Sequence, residues 1–423
     1  MASPVSTEQS LFRLLRARPA VRSFIAIRAA DELGSQMLNV AVGWYVYAAT
    51  HDPMALAYVG LARFLPNIGL VLVAGPAADR VDRRKIVGIS MVVQALCLAV
   101  FGMLSIFTGP AVVPVYLLLI VVGTAQSFFF PAITATLPRL VEAEEFPRAV
   151  AAASSIFQIC SLLGPAVGGL IYAVSPPGMF AVAAAFYVAA LTQVRRLATR
   201  RGELPAPAAE PADRSVLGGI RYVRANRFLL GCMSLDLFAV LFGGITALLP
   251  IYAKDILAVG PAGLGCLRCA PGVGAAMIGL ALAHHTIRRG AGKLMLACVA
   301  SFGVATAVFA LSTDFWLSLA ALAAVGAFDM VSMVIRQTLL QVATPDAMRG
   351  RVTAVNGVFI GASSELGEFE SGVTAAVFGT VPAALLGGMA TVAIVALWTW
   401  LFPELPRAES LAENGVATDH ALT

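Results

Sequence analysis

Apolar residues fall in long runs separated by short polar breaks. The runs lie near 24–49, 55–77, 86–108, 112–135, 149–173, 178–195, 228–252, 261–283, 293–312, 316–340, 353–379 and 382–401. Each approaches the roughly 20 residues that a helix needs to cross a bilayer. Strand-like alternation does not recur, which argues against a β-barrel. The pattern predicts an all-α integral membrane protein with twelve transmembrane helices.

The polar stretches predict the rest of the layout. RRLATRRGELPAPAAEPADRS, 195–215, is the one long polar interruption, and its Pro/Ala/Glu core reads as a flexible linker. VLGGIRYVRANRF follows it and predicts a short basic amphipathic helix on the membrane surface. The expected organisation is a cytoplasmic segment 1–23, a six-helix bundle 24–195, the linker and surface helix 196–227, a second six-helix bundle 228–401 and a cytoplasmic tail 402–423. The opening segment lacks the apolar h-region of a cleaved signal. The polar tail is expected to be disordered.

Composition agrees with a membrane location. Of 423 residues, 59% are hydrophobic and 13% charged, against about 25% charged in soluble domains. The formal net charge of +5 is too small to suggest a nucleic-acid partner. Its distribution is more informative. Arginines and lysines gather before span one and after spans two, four, six, eight, ten and twelve, while the opposite loops hold only Lys254. The positive-inside rule then places both termini in the cytoplasm, as an even number of spans requires. Cys266 and Cys269 form a CxxC, but no second Cys or His pair lies in register, so they read as small embedded side chains and no metal site is expected. No Walker-type GxxxxGK[ST] is present, so ATP is not the direct energy source.

The two halves repeat. At an offset of 205, Arg63-x-x-Pro66-x-x-Gly69 falls on Arg268-x-x-Pro271-x-x-Gly274, Asp31 on Asp236, and Tyr47 on Tyr252. At an offset of 203, SLLGPAVGG (161–169) falls on SELGEFESG (364–372). Each match joins span n to span n+6, the pattern of a transporter built from two parallel halves.

Two motifs carry a resemblance. GPAADRVDRRKI, 75–86, resembles the loop signature G-x-x-x-D-R-x-G-R-[RK] of the major facilitator superfamily, with Gly75, Asp79, Arg80, Arg83 and Arg84 on its positions and Asp82 where glycine is usual. LLGPAVGG in span five resembles the GPxxGG signature of the superfamily's proton-coupled exporters. LARFLP, the loop motif and PDAMRGRV after span ten resemble its branch of siderophore exporters and drug:proton antiporters. The resemblance implies two pseudo-symmetric six-helix bundles and alternating access. It also implies a cytoplasmic gate at Gly75, Asp79, Arg80, Arg83 and Arg84, and a periplasmic or leak-path seal at Gly164, Pro165, Gly168 and Gly169. His284 and His285 stand where the first half has Asp79 and Arg80, so one strong latch is expected.

Eleven ionisable residues lie inside the predicted spans: Arg28, Asp31, Glu32, Arg63, Asp236, Arg268, Asp329, Arg336, Glu365, Glu368 and Glu370. A charge at the bilayer centre costs roughly 2.5–3.5 kcal/mol even on the lenient insertion scale, so each is expected to face a cavity or a partner. At about 100° per residue, Arg28, Glu32, Ser35, Asn39 and Gly43 share one stripe of span one, with Asp31 at its edge. On span eleven, Glu365 and Glu368 lie about 60° apart while Glu370 points away. Like charge and desolvation both disfavour ionising two carboxylates on one face, which suits a proton carrier.

The candidates for proton coupling are therefore Asp31, Glu32, Asp236, Asp329, Glu365 and Glu368. Those for the substrate cavity are Arg28, Asn39, Arg63, Arg268 and Arg336. The expected protein is a monomeric secondary transporter in the inner membrane, not an enzyme. It would use the proton gradient and no cofactor to export a siderophore-like or drug-like amphiphile. The alternatives are uptake or facilitated diffusion of a metabolite or lysolipid on the same fold, and, from other classes, a membrane enzyme or receptor.

Overall fold

A computed structural model describes residues 18–107, 112–142, 144–197, 216–284 and 290–408, without side-chain detail at 68, 71–80, 107, 216–217, 283–284, 346–347, 354, 358 and 362. Among the described residues there is no strand. The long helices are α1 (Pro19–Thr50), α2 (Pro53–Arg80), α3 (Arg83–Phe107), α4 (Val112–Thr134), α5 (Phe146–Val174) and α6 (Pro176–Val194). After a short helix, Val216–Ala225, come α7 (Arg227–Phe242), α8 (Gly260–His284), α9 (Ala291–Leu311), α10 (Phe315–Val342), α11 (Asp346–Phe378) and α12 (Thr380–Leu401).

Polar caps set several boundaries. The carboxylates of Asp52, Asp82 and Asp314 accept from the backbone N–H of Met54 (2.9 Å), Arg84 (3.0 Å) and Leu317 (2.8 Å). Ser175 and Asn226 serve α6 and α7 in the same way. Each side chain satisfies a donor that the first helical turn leaves orphaned. Asp82, in the place where the loop signature has glycine, is thus the cap of α3.

Among the described residues, nine helical segments are long and apolar enough to cross a membrane. They include α3–α6, α8–α10, α12 and the run Arg227–Ile256. α1, α2 and α11 are not among the nine; α1 and α11 carry six of the eleven embedded ionisable residues.

The run predicted as one span over 228–252 is not one helix. α7 stops at Phe242, Gly243 and Gly244 follow, and the chain continues as a 3-10 turn (Ile245–Leu248) and a π turn (Tyr252–Ile256). A glycine pair is a usual place for a helix to break, and Pro250 has no N–H to offer a continuous helix. The Tyr252 hydroxyl, which donates to the Ala310 carbonyl at 2.9 Å, anchors the irregular end. The short helix Val216–Ala225 is where a surface helix was predicted. Its Gly219 lies against the Arg351 carbonyl and Val355 of α11. Most of the predicted linker, His285 and the tail beyond 408 lie outside the described residues.

The chain divides into two compact units. One gathers the described residues within Met1–His51, Leu61–Ala206 and Val259–Cys269; the other those within Asp52–Gly60, Pro207–Ala258 and Ala270–Thr423. The first turns of α2 and of α8 therefore pack with the opposite half of the sequence. Within the second unit, Leu229, Met233, Met295, Leu339, Val352 and Trp398 form a buried core.

The repeat is visible in the packing. Gly123 of α4 lies against the Arg63 carbonyl and Pro66 of α2. Gly326 of α10, 203 residues later, lies against the carbonyl of Pro271 of α8. The motif Arg-x-x-Pro thus marks the same close helix approach in each half.

Candidate functional site

None of the eleven embedded ionisable residues is exposed; Asp31, Asp236 and Arg336 are buried and the others are half-buried. Their partners differ sharply between the halves.

Asp31, 6% exposed, sits in a neutral polar network. The Gln126 amide of α4 donates to its carboxylate at 2.9 Å and to the Gln94 side-chain oxygen at 3.1 Å. The Tyr187 hydroxyl lies 3.2 Å from the Asp31 carbonyl, 3.5 Å from its carboxylate and 3.0 Å from Gln94 Oε1. Gly34, one turn beyond Asp31, has no side chain, and the Tyr187 ring fills the space. Among the described residues no guanidinium or ammonium forms an ion pair with Asp31, although it feels the charge of Arg28 one turn earlier on α1. Its neighbour Glu32 takes a hydrogen bond from Gln36 at 2.8 Å, and Gln36 also reaches Ser161 of α5 at 3.3 Å.

At the matching place in the second half, Asp236, 5% exposed, is ion-paired with Arg336 at 2.6 Å. Arg336 is itself only 3% exposed. Asp329, two turns before Arg336 on α10, feels the same guanidinium. Arg336 is therefore the counter-charge of an internal pair.

The predicted stripe of α1 is partly realised. The Arg63 guanidinium of α2 donates to the Asn39 side-chain oxygen. The position matching Asn39 is Gly244, where α7 is broken, so the matched arginine Arg268 has no equivalent asparagine. Arg28 points elsewhere, its guanidinium 5.0 Å from the ring centre of Phe157 and 5.7 Å from that of Phe130.

The glycine motifs are contact points in both halves. Gly164 faces Leu33 and Gln36 of α1, and Gly168 faces Met37. On Gly169 a methyl group would lie 2.5 Å from the Pro261 carbonyl of α8 and 2.9 Å from Gly265, which in turn faces the Pro165 carbonyl and Ala166. The second half repeats this. Gly367 lies against Val240 and Leu241 of α7; Gly372 lies against Ala57 of α2; and Gly60 of α2 faces Glu368 and Phe369. SELGEFESG thus packs as GPAVGG does, with Glu368 in the place of Pro165. Glu370, the one pointing away, accepts from the Thr374 hydroxyl at 2.7 Å. The Cys269 thiol donates to the Leu162 carbonyl at 2.8 Å within the same α5–α8 contact.

At the predicted gate, Gly75, Asp79 and Arg80 fall on the last turns of α2, where side chains lie outside the description. Arg83 donates to the Ala135 carbonyl at 2.9 Å, placing a cation at the C-terminal end of α4, where the helix dipole favours it. Arg84 is half-buried just after the Asp82 cap. Arg18, ahead of α1, pairs with Glu142 at 2.9 Å and Glu145 at 3.1 Å in the α4–α5 connection. The hydrogen bond to Glu142 and the charge of Glu145 push the Arg18 guanidinium further above its ordinary value.

Gln94, Gln126 and Tyr187 carry no charge at neutral pH, so the pattern of charged positions within the spans does not single them out. The repeat held a signal for one: Gln126 is the position that Asp329 occupies 203 residues later.

These features match known transporters. The chain is 28% identical over 393 residues to the enterobactin exporter EntS of Escherichia coli O1:K1 / APEC, covering 89% of this chain and 86% of that protein. EntS from Escherichia coli O139:H28 (strain E24377A / ETEC) matches at the same identity over 391 residues. The fold superposes on the nucleoside transporter NupG (D323A mutant) with TM-score 0.70 and 11% identity, covering 90% of this chain and all of that one. It superposes equally on a bacterial homologue of the human lysosomal transporter Spinster, with 10% identity over 92% of this chain and 96% of that one. Likeness at this level is one of fold alone. The protein is a membrane transporter of small molecules, not an enzyme. The profile of the transmembrane secretion effector family matches residues 15–421, so the chain belongs to that family of the major facilitator superfamily.

Proposed function

We propose that the protein is a proton-coupled exporter of a small amphiphilic molecule, siderophore-like or drug-like. It works as a monomer in the inner membrane by alternating access. In this reading twelve helices cross the bilayer as two six-helix bundles, 24–195 and 228–401, with both termini in the cytoplasm. The energy source is the proton gradient, and no cofactor is required.

The observation that carries the proposal is the contrast between Asp31 and Asp236. A coupling carboxylate must change its charge during the cycle. Asp236 is paired with a buried guanidinium, and losing its charge would leave Arg336 with only the weaker influence of Asp329. Asp31 is held by an amide and a hydroxyl, which suit either form of the carboxyl group: Tyr187 can donate to the carboxylate and accept from the neutral acid. In the proposed cycle Asp31 takes a proton from the periplasmic side, the neutral group permits return of the empty carrier, and substrate binding from the cytoplasm favours proton release. Glu32, Glu365 and Glu368 are accessory carboxylates in this scheme. The α5–α8 and α2–α11 glycine contacts act as the seals that must form and break.

Export of a siderophore-like molecule is supported by similarity to EntS and by GPAVGG. The alternative is facilitated diffusion of a metabolite, on a fold that also serves a nucleoside transporter. Counterflow of labelled compounds in vesicles with no proton gradient separates the two. Exchange that a gradient neither drives nor alters would favour the facilitator.

A further inference from the structure

We infer that the first half holds a binding site for an anionic aromatic amphiphile, built around Arg28; this deepens the export reading above by naming the class of substrate. A cavity of about 340 Å³ opens between α1, α4 and α5, with Arg28 in its wall and the rings of Phe24, Phe130, Phe146 and Phe157 around it. The size falls at the lower end of the roughly 300–1,000 Å³ typical of small-molecule pockets. All of its lining lies within one compact unit.

Three observations converge on the ligand's chemistry. First, Arg28 lies on α1, which crosses the bilayer in the reading above, and makes no ion pair within 4 Å among the described residues. The two carboxylates nearest along α1, Asp31 and Glu32, feel its charge, but their hydrogen bonds come from Gln126 and Gln36. A membrane-embedded cation ordinarily faces a partner. Here the guanidinium lies over the rings of Phe157 and Phe130, a cation–π contact that itself supplies no acceptor for its N–H groups.

Second, the cavity wall is aromatic, and its rim carries Ser154 and Gln158. One cation in an apolar cage fits a molecule with one anionic group on an aromatic body, such as a carboxylate or sulfonate.

Third, this lining is not demanded by the fold. The repeat builds a second cavity at matching positions in the other unit, of about 170 Å³. There Arg349, Thr353 and Asn356 stand 203 residues after Phe146, Val150 and Ala153. The same helix ends pack with polar residues in one half and aromatic ones in the other. The Phe cage is therefore a specialisation of the first half, and the position matching Arg28 is Met233.

The test is equilibrium binding to the purified full-length protein in detergent, with two probes that share a fluorophore and differ in charge: dansylglycine, an anion, and dansylcadaverine, a cation. Wild type should bind the anion saturably and at least tenfold more tightly than the cation. Arg28→Gln should abolish that preference, Arg28→Lys should retain part of it, and Phe157→Leu should weaken both probes severalfold. Melting curves for each variant identify any that fail to fold. The wild-type comparison of the two probes stands without them. No saturable binding of the anion, equal binding of both probes, or an unchanged preference in folded Arg28→Gln would overturn the site. The assay uses no gradient. A protein that prefers the anion but moves no protons refutes the coupling and keeps the site; the converse refutes the site alone.

Discussion

Asp236 holds Arg336 at 2.6 Å, while Asp31, the matching residue 205 positions earlier, takes its hydrogen bond from the neutral amide of Gln126 at 2.9 Å. The two halves thus treat one acidic position in two ways. Breaking a buried ion pair by removing one partner costs about 3–5 kcal/mol, whereas replacing both with apolar residues is often neutral. Asp236→Leu and Arg336→Leu should each lower the melting temperature of the detergent-solubilised protein sharply, and the double variant should recover most of the loss. Additive losses in that double-mutant cycle would mean that the pair is not a unit.

Asp31→Asn should behave differently. It removes a charge whose hydrogen-bond partners are neutral and keeps hydrogen-bonding capacity, so its stability cost should stay near the ~0.5–1.5 kcal/mol of a single hydrogen bond. Thermal melting of Asp31→Asn beside Asp236→Asn checks this, with the second expected to be the less stable by a clear margin.

The glycine contacts predict matched phenotypes. A side chain at Gly169 meets the Pro261 carbonyl, and one at Gly372 meets Ala57, where a methyl group would lie 2.7 Å from the nearest atom. Overpacking of this kind typically costs about 1–3 kcal/mol. Gly169→Val and Gly372→Val should both insert into the membrane and both lose transport, measured as substrate flux per molecule of protein in vesicles. A defect in only one would show that the α5–α8 and α2–α11 contacts are not functional equivalents.

Asp82 gives a local test. Its carboxylate caps α3 through Arg84 N–H at 3.0 Å. Asp82→Ala should cost about 1 kcal/mol, while Asp82→Gly, the residue that the loop signature carries, should cost only a few tenths. Thermal melting in detergent ranks the three proteins. An Asp82→Gly protein less stable than Asp82→Ala would contradict the capping role.

Much of this was legible in the sequence because a bilayer forces its signal. Backbone groups in lipid must bond within the segment, so apolar runs of sufficient length become helices, and the observed ends lie within several residues of those read from hydropathy. The offsets also survived: 203 as equivalent contacts at Gly169 and Gly372, and 205 as Pro66 and Pro271, which lie against Gly123 and Gly326. The break after Phe242 was not read, although Gly243–Gly244 in an apolar run was its signal: hydropathy scores apolar character and not backbone continuity. The Asp236–Arg336 pair joins residues on α7 and α10, and no local pattern encodes such a pairing. Phe130 and Phe157 were invisible as site residues because an aromatic residue in an apolar span reads as lipid or core contact until its neighbour Arg28 is placed.

The central claim is that Asp31 carries the coupled proton, and proton flux in everted vesicles tests it most directly. Vesicles with wild type or Asp31→Asn, at equal and verified protein levels, are energised, and a panel of siderophores, lysolipids and aromatic drugs of either charge is added while the pH gradient is followed. The account predicts that at least one compound dissipates the gradient with wild type and not with Asp31→Asn, while Asp31→Asn still binds that compound. Equal dissipation by Asp31→Asn would contradict it and move the coupling role to another carboxylate.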